Sequence, residues 1–360
     1  MDSSPETERG VPEDAVAAGA VRAPSRRRPV SVKDVAARAG VSWKTVSNVV
    51  HGKAHVKPAL RERVEQAIEE LDYRPNLAGR QLRQGSSKAL VLALPDIRSP
   101  YFSTLAHEVI QSCRSLGYTT TVEEIGTDVA DERRVLEGYR DRLIDGIIYS
   151  PQRVTAEEVL ARRDTTPLVL LGERLVDSGL PHVAIDNRGS GRVLTRHLID
   201  SGRRHLAFFG SRTSFGEGTA QLRVHGFLDA LAEASLEAPA ELQLAAVDFT
   251  REEGERLAHR LLDLGLPCDG VVCGNDLLAV GALRAFRSRG VSVPADIAVA
   301  GWDDIPEASF GFPSLTTIAP DIAQIAAVAS ALLVAEIEGT RDGDAETEAG
   351  YVLRVRESAP

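Results

Sequence analysis

The 360-residue sequence predicts an α/β protein: a three-helix helix-turn-helix unit near the N-terminus, a short basic connector, and a unit of two lobes built on two doubly wound parallel sheets. Three observations predict it. Residues 31–52 hold two short segments, each with the start and stop signals of a helix. From residue 88 onward, short apolar runs alternate with helical stretches in two successive series. The charge divides at the same place, with fourteen Lys and Arg against six Asp and Glu over residues 25–88, and twenty-six against forty-one over 89–360. The overall charge of −10 speaks against a protein that coats nucleic acid or an anionic membrane over its whole surface.

Residues 1–29 are rich in Pro and Ala, place their acidic residues ahead of a closing "RRR", and carry no continuous apolar core of a signal peptide; they read as a disordered tail. The first helix follows in "SVKDVAARAG". Ser31 is placed to cap it with Asp34 at the third helical position, Val30 and Val35 sit where a hydrophobic staple closes, and Gly40 permits the left-handed turn that ends it. The next segment, "VSWKTVSNVVHG", repeats the device with Ser42 as cap, Val41 and Val46 as staple and Gly52 as stop. On a helical wheel Val46, Val49 and Val50 share one side, while Lys44, Ser47, Asn48 and His51 lie opposite and Trp43 projects from the first turn. That polar face suits a major groove. Lys reaches guanine O6 and N7, Asn pairs with adenine, and hydroxyls such as those of Thr45 and Ser47 hold phosphate. A third helix within 58–75 offers Leu60, Val64, Ala67, Ile68 and Leu71 as the stripe that covers the pair.

The helix-turn-helix domain is thus expected over residues 30–75, the connector over 76–87 and the two-lobed unit over 88–360. Its strands are read in "ALVLALP", "DGIIYS", "PLVLLG" and "HVAID", and again in "HLAFFG", "LAAV", "DGVVCG" and "IAVAGW". Ligands of such sheets bind where the strand ends meet, between the lobes. No complete catalytic motif is present: there is no phosphate loop, no GxSxG elbow, and "HEVIQ" at His107 lacks the second His of a zinc site. The expectation is therefore no enzyme, no cofactor and no metal. Cys113, Cys268 and Cys273 read as free thiols, and the longest apolar run, residues 322–337, is too short and too polar to span a bilayer. A soluble cytoplasmic protein is expected.

The segments "VSVKDVAARAGVSWKTVSNVVHG" and "RERVEQAIEELDYRPNLAGRQLR", continued by "LVLALPDIRSPYF", "DGIIYSP", "VAIDNRGSG", "CDGVVCGNDLLAVGALRAF" and "VAGWDDIPEASFGFPSLTTI", resemble the lactose-repressor/galactose-repressor (LacI/GalR) family of bacterial transcription regulators. The resemblance covers nearly everything from residue 30 on. It implies a periplasmic-binding-protein-like fold for the two-lobed unit, and a hinge helix in the connector. Leu82 matches the Leu that wedges into a minor-groove step, with Arg80 and Arg83 beside it to meet phosphate; its alternative reading is a plain linker residue. Tyr73 and Asn76 join Trp43, Lys44, Thr45, Ser47, Asn48 and His51 on the DNA side. Gly79 departs from the small-residue pattern of the hinge and weakens its free helix.

For the cleft, the resemblance implies that Arg223, Asn275 and Asp303 take ligand hydroxyls, that Phe249 stacks on a ring, and that Tyr101 and Phe102 lie at the pocket edge. An acceptor, a guanidinium fork and an amide satisfy neighbouring hydroxyls of a sugar. Each position also has a purely structural reading: Arg223 pairing with Asp303, Asn275 capping the next helix, Phe249 in the core. The implied function is that of a homodimeric repressor on double-stranded operator DNA, controlled by a sugar or sugar derivative and without contact to a membrane. The alternative is a sugar-binding module without DNA regulation, which leaves residues 30–84 unexplained.

Overall fold

The computed structural model describes residues 30–50, 56–73, 86–126, 128–139, 143–172, 179–211, 218–342 and 346–360. The chain divides near residue 80 into two compact units. In the first, helices α1 (Val32–Ala39), α2 (Trp43–Val50) and α3 (Pro58–Glu70) close over Val35, Val46, Val49, Val64 and Ala67. The local devices are those of the sequence. Asp34 N donates to Ser31 Oγ at 3.4 Å and the Asp34 carboxylate accepts from Ser31 N at 2.8 Å, while Gly40 takes φ 64°. Thr45 N donates to Ser42 Oγ at 3.2 Å, and Val30 and Val41 pack on the core as staples. Arg63 of α3 reaches the carbonyl of Ala39 and ties the end of α1 to the third helix. His51 and Gly52, and the connector residues Asn76, Gly79, Arg80, Leu82 and Arg83, lie outside the described residues.

The second unit opens with β1 (Ala89–Leu94), α4 (Pro100–Ser115), β2 (Thr119–Glu124), α5 (Val129–Glu137), β3 (Gly146–Tyr149), α6 (Ala156–Leu160), β4 (Leu168–Leu171) and β5 (His182–Ile185). The second lobe follows as α7 (Asn187–Asp200), β6 (Leu206–Ser211), α8 (Thr219–Glu233), β7 (Gln243–Ala245), α9 (Arg251–Leu264), β8 (Gly270–Cys273), α10 (Asp276–Ser288), β9 (Ala298–Trp302), α11 (Pro306–Phe310) and β10 (Thr316–Pro320). The strand orders are β2-β1-β3-β4-β5 and β7-β6-β8-β9-β10. Both sheets are therefore wound alike, and each reverses direction beside its first strand, where a crevice opens at the carboxyl ends.

The structure departs from two contiguous parallel series in its last forty residues. After β10 the chain returns to the first lobe as α12 (Ile322–Glu338), which buries Ile325, Ala326, Ala329 and Leu333 in that lobe's core, and as β11 (Glu346–Ala349), parallel to β5. It then goes back to pair β12 (Tyr351–Arg354) antiparallel to β10. Both additions cover the edge that a five-stranded sheet leaves open. The apolar run of residues 322–337 is thus a core helix, and among the described residues no helix is long and apolar enough to cross a membrane. Cys113 and Cys273 are buried and Cys268 half-buried, all free, with burial pushing the Cys268 thiol up to about 11.

The second lobe owes its compactness to helix pairs packed at backbone distance. A Cβ on Gly226 of α8 would strike the Arg188 carbonyl oxygen of α7, and one on Gly281 of α10 would strike that of Arg251 in α9. Because the opposing atoms are backbone, neither pair can yield by rotating a side chain. Gly281→Ala is expected to cost about 1–3 kcal/mol or more through overpacking, read as a lower urea midpoint at unchanged slope. An unaltered midpoint would show that the two helices separate freely.

Candidate functional site

In the helix-turn-helix unit, Trp43 and Lys44 stand exposed at the start of α2, the indole 49% accessible and the Lys44 ammonium 5.9 Å from its ring centroid. Thr45, Ser47 and Asn48 are half-buried on the same helix, with the Thr45 hydroxyl 3.0 Å from that of Ser42. Tyr73 also is half-buried, packed on the three-helix core, so its ring has a structural task whatever else it touches.

In the two-lobed unit, all six residues expected at a ligand site line one cleft of about 740 Å³. Tyr101 and Phe102 come from the first turn of α4, their rings edge to face with centroids 5.2 Å apart. The other four come from the second lobe. Phe249 follows β7 and packs partly on the core, its ring so near Gly274 that a Cβ there would lie 2.9 Å away. Asn275 follows β8 and does cap α10, its Oδ1 accepting from Leu278 N at 2.9 Å. Asp303 follows β9 at φ 106° and Asp304 at φ 51°. Two successive non-glycine residues in that region cost about 1–3 kcal/mol each, the kind of strain kept where a side chain must be aimed.

Arg223 of α8 is fixed from three sides. Its Nε donates to Asn187 Oδ1 at 2.7 Å, its Nη1 to the Gly274 carbonyl at 2.5 Å, and its plane lies over Trp302 with 4.5 Å to the centroid. The purely structural alternative, Arg223 paired with Asp303, is thus too narrow, because the guanidinium also meets Asn187, Gly274 and Trp302. Asp303 itself is half-buried on the cleft floor. Poor solvation there pushes its carboxyl up to about 7 against the opposing pull of Arg223.

Four residues that matter here escape a reading of the sequence alone. Asn187, the second residue of "IDNRGSG", orients Arg223. Asp276, the partner of Asn275 in "ND", has no exposed surface, and takes Thr317 Oγ1 at 2.7 Å and Ile305 N at 3.0 Å. Burial first, then the charge of Asp303, holds its carboxyl well above the ordinary range. Glu132, fully buried in α5, accepts from Tyr149 Oη at 3.1 Å and from the amides of Arg153 and Val154 at 2.9 and 3.0 Å, fixing the loop that brings Ser150 and Gln152 to the cleft. Asp145 takes Ser86 Oγ, Ser87 N and Lys88 N at 2.5, 2.7 and 2.9 Å, where the connector enters the lobe. Burial alone would raise the Asp145 carboxyl, and these hydrogen bonds outweigh it and bring it below the usual range. Among the described residues no cluster of His, Cys, Asp and Glu is suited to a metal ion.

Comparison with known proteins gives two family models, "Bacterial regulatory proteins, lacI family" over residues 31–76 and "Periplasmic binding protein-like domain" over 195–359. The chain is 32% identical to the ribose operon repressor of Halalkalibacterium halodurans, over 86% of this chain and 90% of that one. It is 28% identical to the transcriptional repressor CytR of Escherichia coli, over 90% and 94%. Among solved structures it is similar to the lac repressor dimer bound to operator and an anti-inducer, with TM-score 0.83 and 25% identity over 92% of this chain and 99% of that one. The CelR–cellobiose complex matches with TM-score 0.69 and 28% identity over 92% and 100%.

The raised carboxyl of Asp303 has a measurable consequence. Because its folded-state value of about 7 exceeds the ordinary 3.8, the folded protein holds that proton more tightly than the unfolded chain. Asp303 therefore favours the fold fully below about pH 4, and that contribution is lost as the pH rises through 7. Asp303→Asn removes this dependence, so the variant should gain in stability relative to the parent between pH 5 and 8, measured by paired denaturant melts. A difference that stays constant over that range would show the carboxyl to be solvated normally.

Proposed function

The chain belongs to the lacI family of bacterial regulatory proteins, and on that premise we propose that it is a homodimeric repressor whose hold on operator DNA is set by a sugar-like effector in the cleft. One observation carries the effector assignment: Tyr101, Phe102, Arg223, Phe249, Asn275 and Asp303 face a single cleft at the switch points of two sheets. Aromatic rings on both sides suit the apolar faces of a pyranose or furanose. The guanidinium fork, amide and carboxylate suit its hydroxyls. The solved complex of CelR with cellobiose supports a carbohydrate, and the repressors among the relatives support binding without turnover.

On the DNA side, Lys44 and Asn48 are assigned to base edges, Trp43 and His51 to the groove, and Thr45, Ser47, Tyr73 and Asn76 to its walls. Leu82 is assigned as the minor-groove wedge between two subunits, flanked by Arg80. The lac repressor is described as a dimer on its operator, and a second copy is assigned here to cover Phe310 and Phe312, which are 90% and 85% exposed. Work on operator DNA puts the protein in the cytoplasm. Ligand that closes the cleft would move the first lobes of the two subunits against one another and so alter the pairing of their connectors, a coupling of about 1–3 kcal/mol.

Two experiments test the halves separately. Lys44→Ala and Asn48→Ala should each alter discrimination at particular positions of an operator selected from random DNA by about 1–3 kcal/mol. Equal loss on operator and random DNA would remove these residues from base reading. Asp303→Ala should keep operator affinity yet raise the midpoint of the effector response at least tenfold, with the effector taken from a thermal-shift screen of sugars. A response at the original midpoint would remove the cleft as the effector site.

A further inference from the structure

We propose that Arg356, in the C-terminal tail, is a positioning residue for Asp303: by holding the neighbouring Asp304 it fixes the turn that presents Asp303 to the cleft. The proposal rests on the reading of Asp303 as an effector-binding residue, and it makes the tail part of the binding apparatus.

The turn at Asp303 and Asp304 joins β9 to α11 with both residues at positive φ, so left alone it would relax toward commoner backbone angles. Three contacts hold it. Asp303 N donates to the Ile318 carbonyl at 2.9 Å, and Ile305 N to the buried Asp276 carboxylate at 3.0 Å. Those two grip the residues on either side of Asp304. The third grips Asp304 itself: Arg356 Nη2 donates to its Oδ1 at 2.6 Å, in a pair whose side chains are only 18% and 25% exposed. Water screens such a pair far less than one on the surface.

Arg356 is in turn immobilised. Its Nη1 donates to the Leu315 carbonyl and its backbone N to Thr316 Oγ1, both at 2.8 Å. The tail around it is built into the lobe: Val299 N donates to the Ser358 carbonyl at 3.0 Å, Ser358 Oγ to the Val299 carbonyl at 2.6 Å, and Ser358 and Ala359 are buried. Val299 lies on β9, the strand that leads into Asp303. The tail therefore runs beside this strand and returns a cation to its end.

That cation also answers an electrostatic need. Asp276, Asp303 and Asp304 fall within one small region, and the charges of Asp303 and Asp304 both disfavour ionisation of Asp276. Arg223 faces Asp303, and Arg356 faces Asp304. With Arg356 removed, Asp304 becomes a poorly screened anion beside two other acids, and its easiest escape is to rotate the turn outward.

The experiment is amide hydrogen exchange by NMR on the full-length, uniformly 15N-labelled protein. In Arg356→Ala the amides of Asp303 and Ile305 should exchange at least tenfold faster relative to Val271 in the central strand β8, while Arg356→Lys, which keeps the charge, should show a smaller change. Asp304→Ala removes the acceptor of the same pair and should also give a local acceleration, which keeps the test available if Arg356→Ala fails to fold. A tail that merely closes the lobe predicts that all three amides accelerate together. If the ratios to Val271 stay within twofold of the parent in both Arg356→Ala and Asp304→Ala, the proposal is overturned. This readout needs no ligand, so an Asp303→Ala protein that still responds to effector would remove the effector assignment without deciding the role of Arg356.

Discussion

A carboxylate with no accessible surface must be supplied with donors, and Asp276 organises the floor of the second lobe by taking them from two directions. It accepts from Thr317 on β10 and from Ile305 beyond the turn after β9. The strand between must leave room, and it does so through Gly301, where a Cβ would collide with Asp276 Oδ1. Loss of either donor would strand a polar group in the core, a cost of about 1–3 kcal/mol or more. The position of Asp303 thus follows from the satisfaction of its buried neighbour. Asn275, one residue before Asp276, is fixed by the same helix start.

The first lobe uses the same physics with different residues. Glu132 gathers the amides of the loop after β3, much as Asp276 gathers the turn after β9. Asp145, at the opposite end of β3, gathers the start of the lobe at Ser86–Lys88. One strand therefore connects an anchored cleft loop to an anchored connector end. The clamp that joins residue 86 to the lobe has several hydrogen bonds and a carboxylate that stays ionised well below neutrality.

Much of this was legible in the sequence because it rests on local rules. Ser31 with Asp34, Ser42, and Gly40 are signals read within four residues, and the strands from "ALVLALP" to "IAVAGW" are fully apolar runs that suit strands buried on both faces. The six cleft residues became legible through family resemblance, since nothing in a lone "ND" or "WDD" says that a ligand is near. What stayed hidden depends on contacts across long stretches of chain. Asn187 meets Arg223 thirty-six residues on, and Arg356 meets Asp304 across fifty-two. The return of α12 and β11 to the first lobe was equally unreadable, because "IAQIAAVASALLVAEI" fits any buried helix and "ETEA" carries no apolar alternation.

That return determines how the lobes can move. The chain passes between them three times, at residues 185–187, 320–322 and 349–351, and the last two passages are bonded together by Asp321 N donating to the Gly350 carbonyl at 2.8 Å. A single passage would let one lobe swivel and drift. Three, with two tied to one another, restrain that freedom far more than one. Ile185, Asn187 and Pro320 at these passages line the cleft itself. The passages therefore lie along the back of the cleft, with Tyr101 on one wall and Asp303 on the other. Asn187 stands at both places, at a passage between the lobes and in contact with Arg223, so the residue that fixes the guanidinium is anchored where the two lobes join.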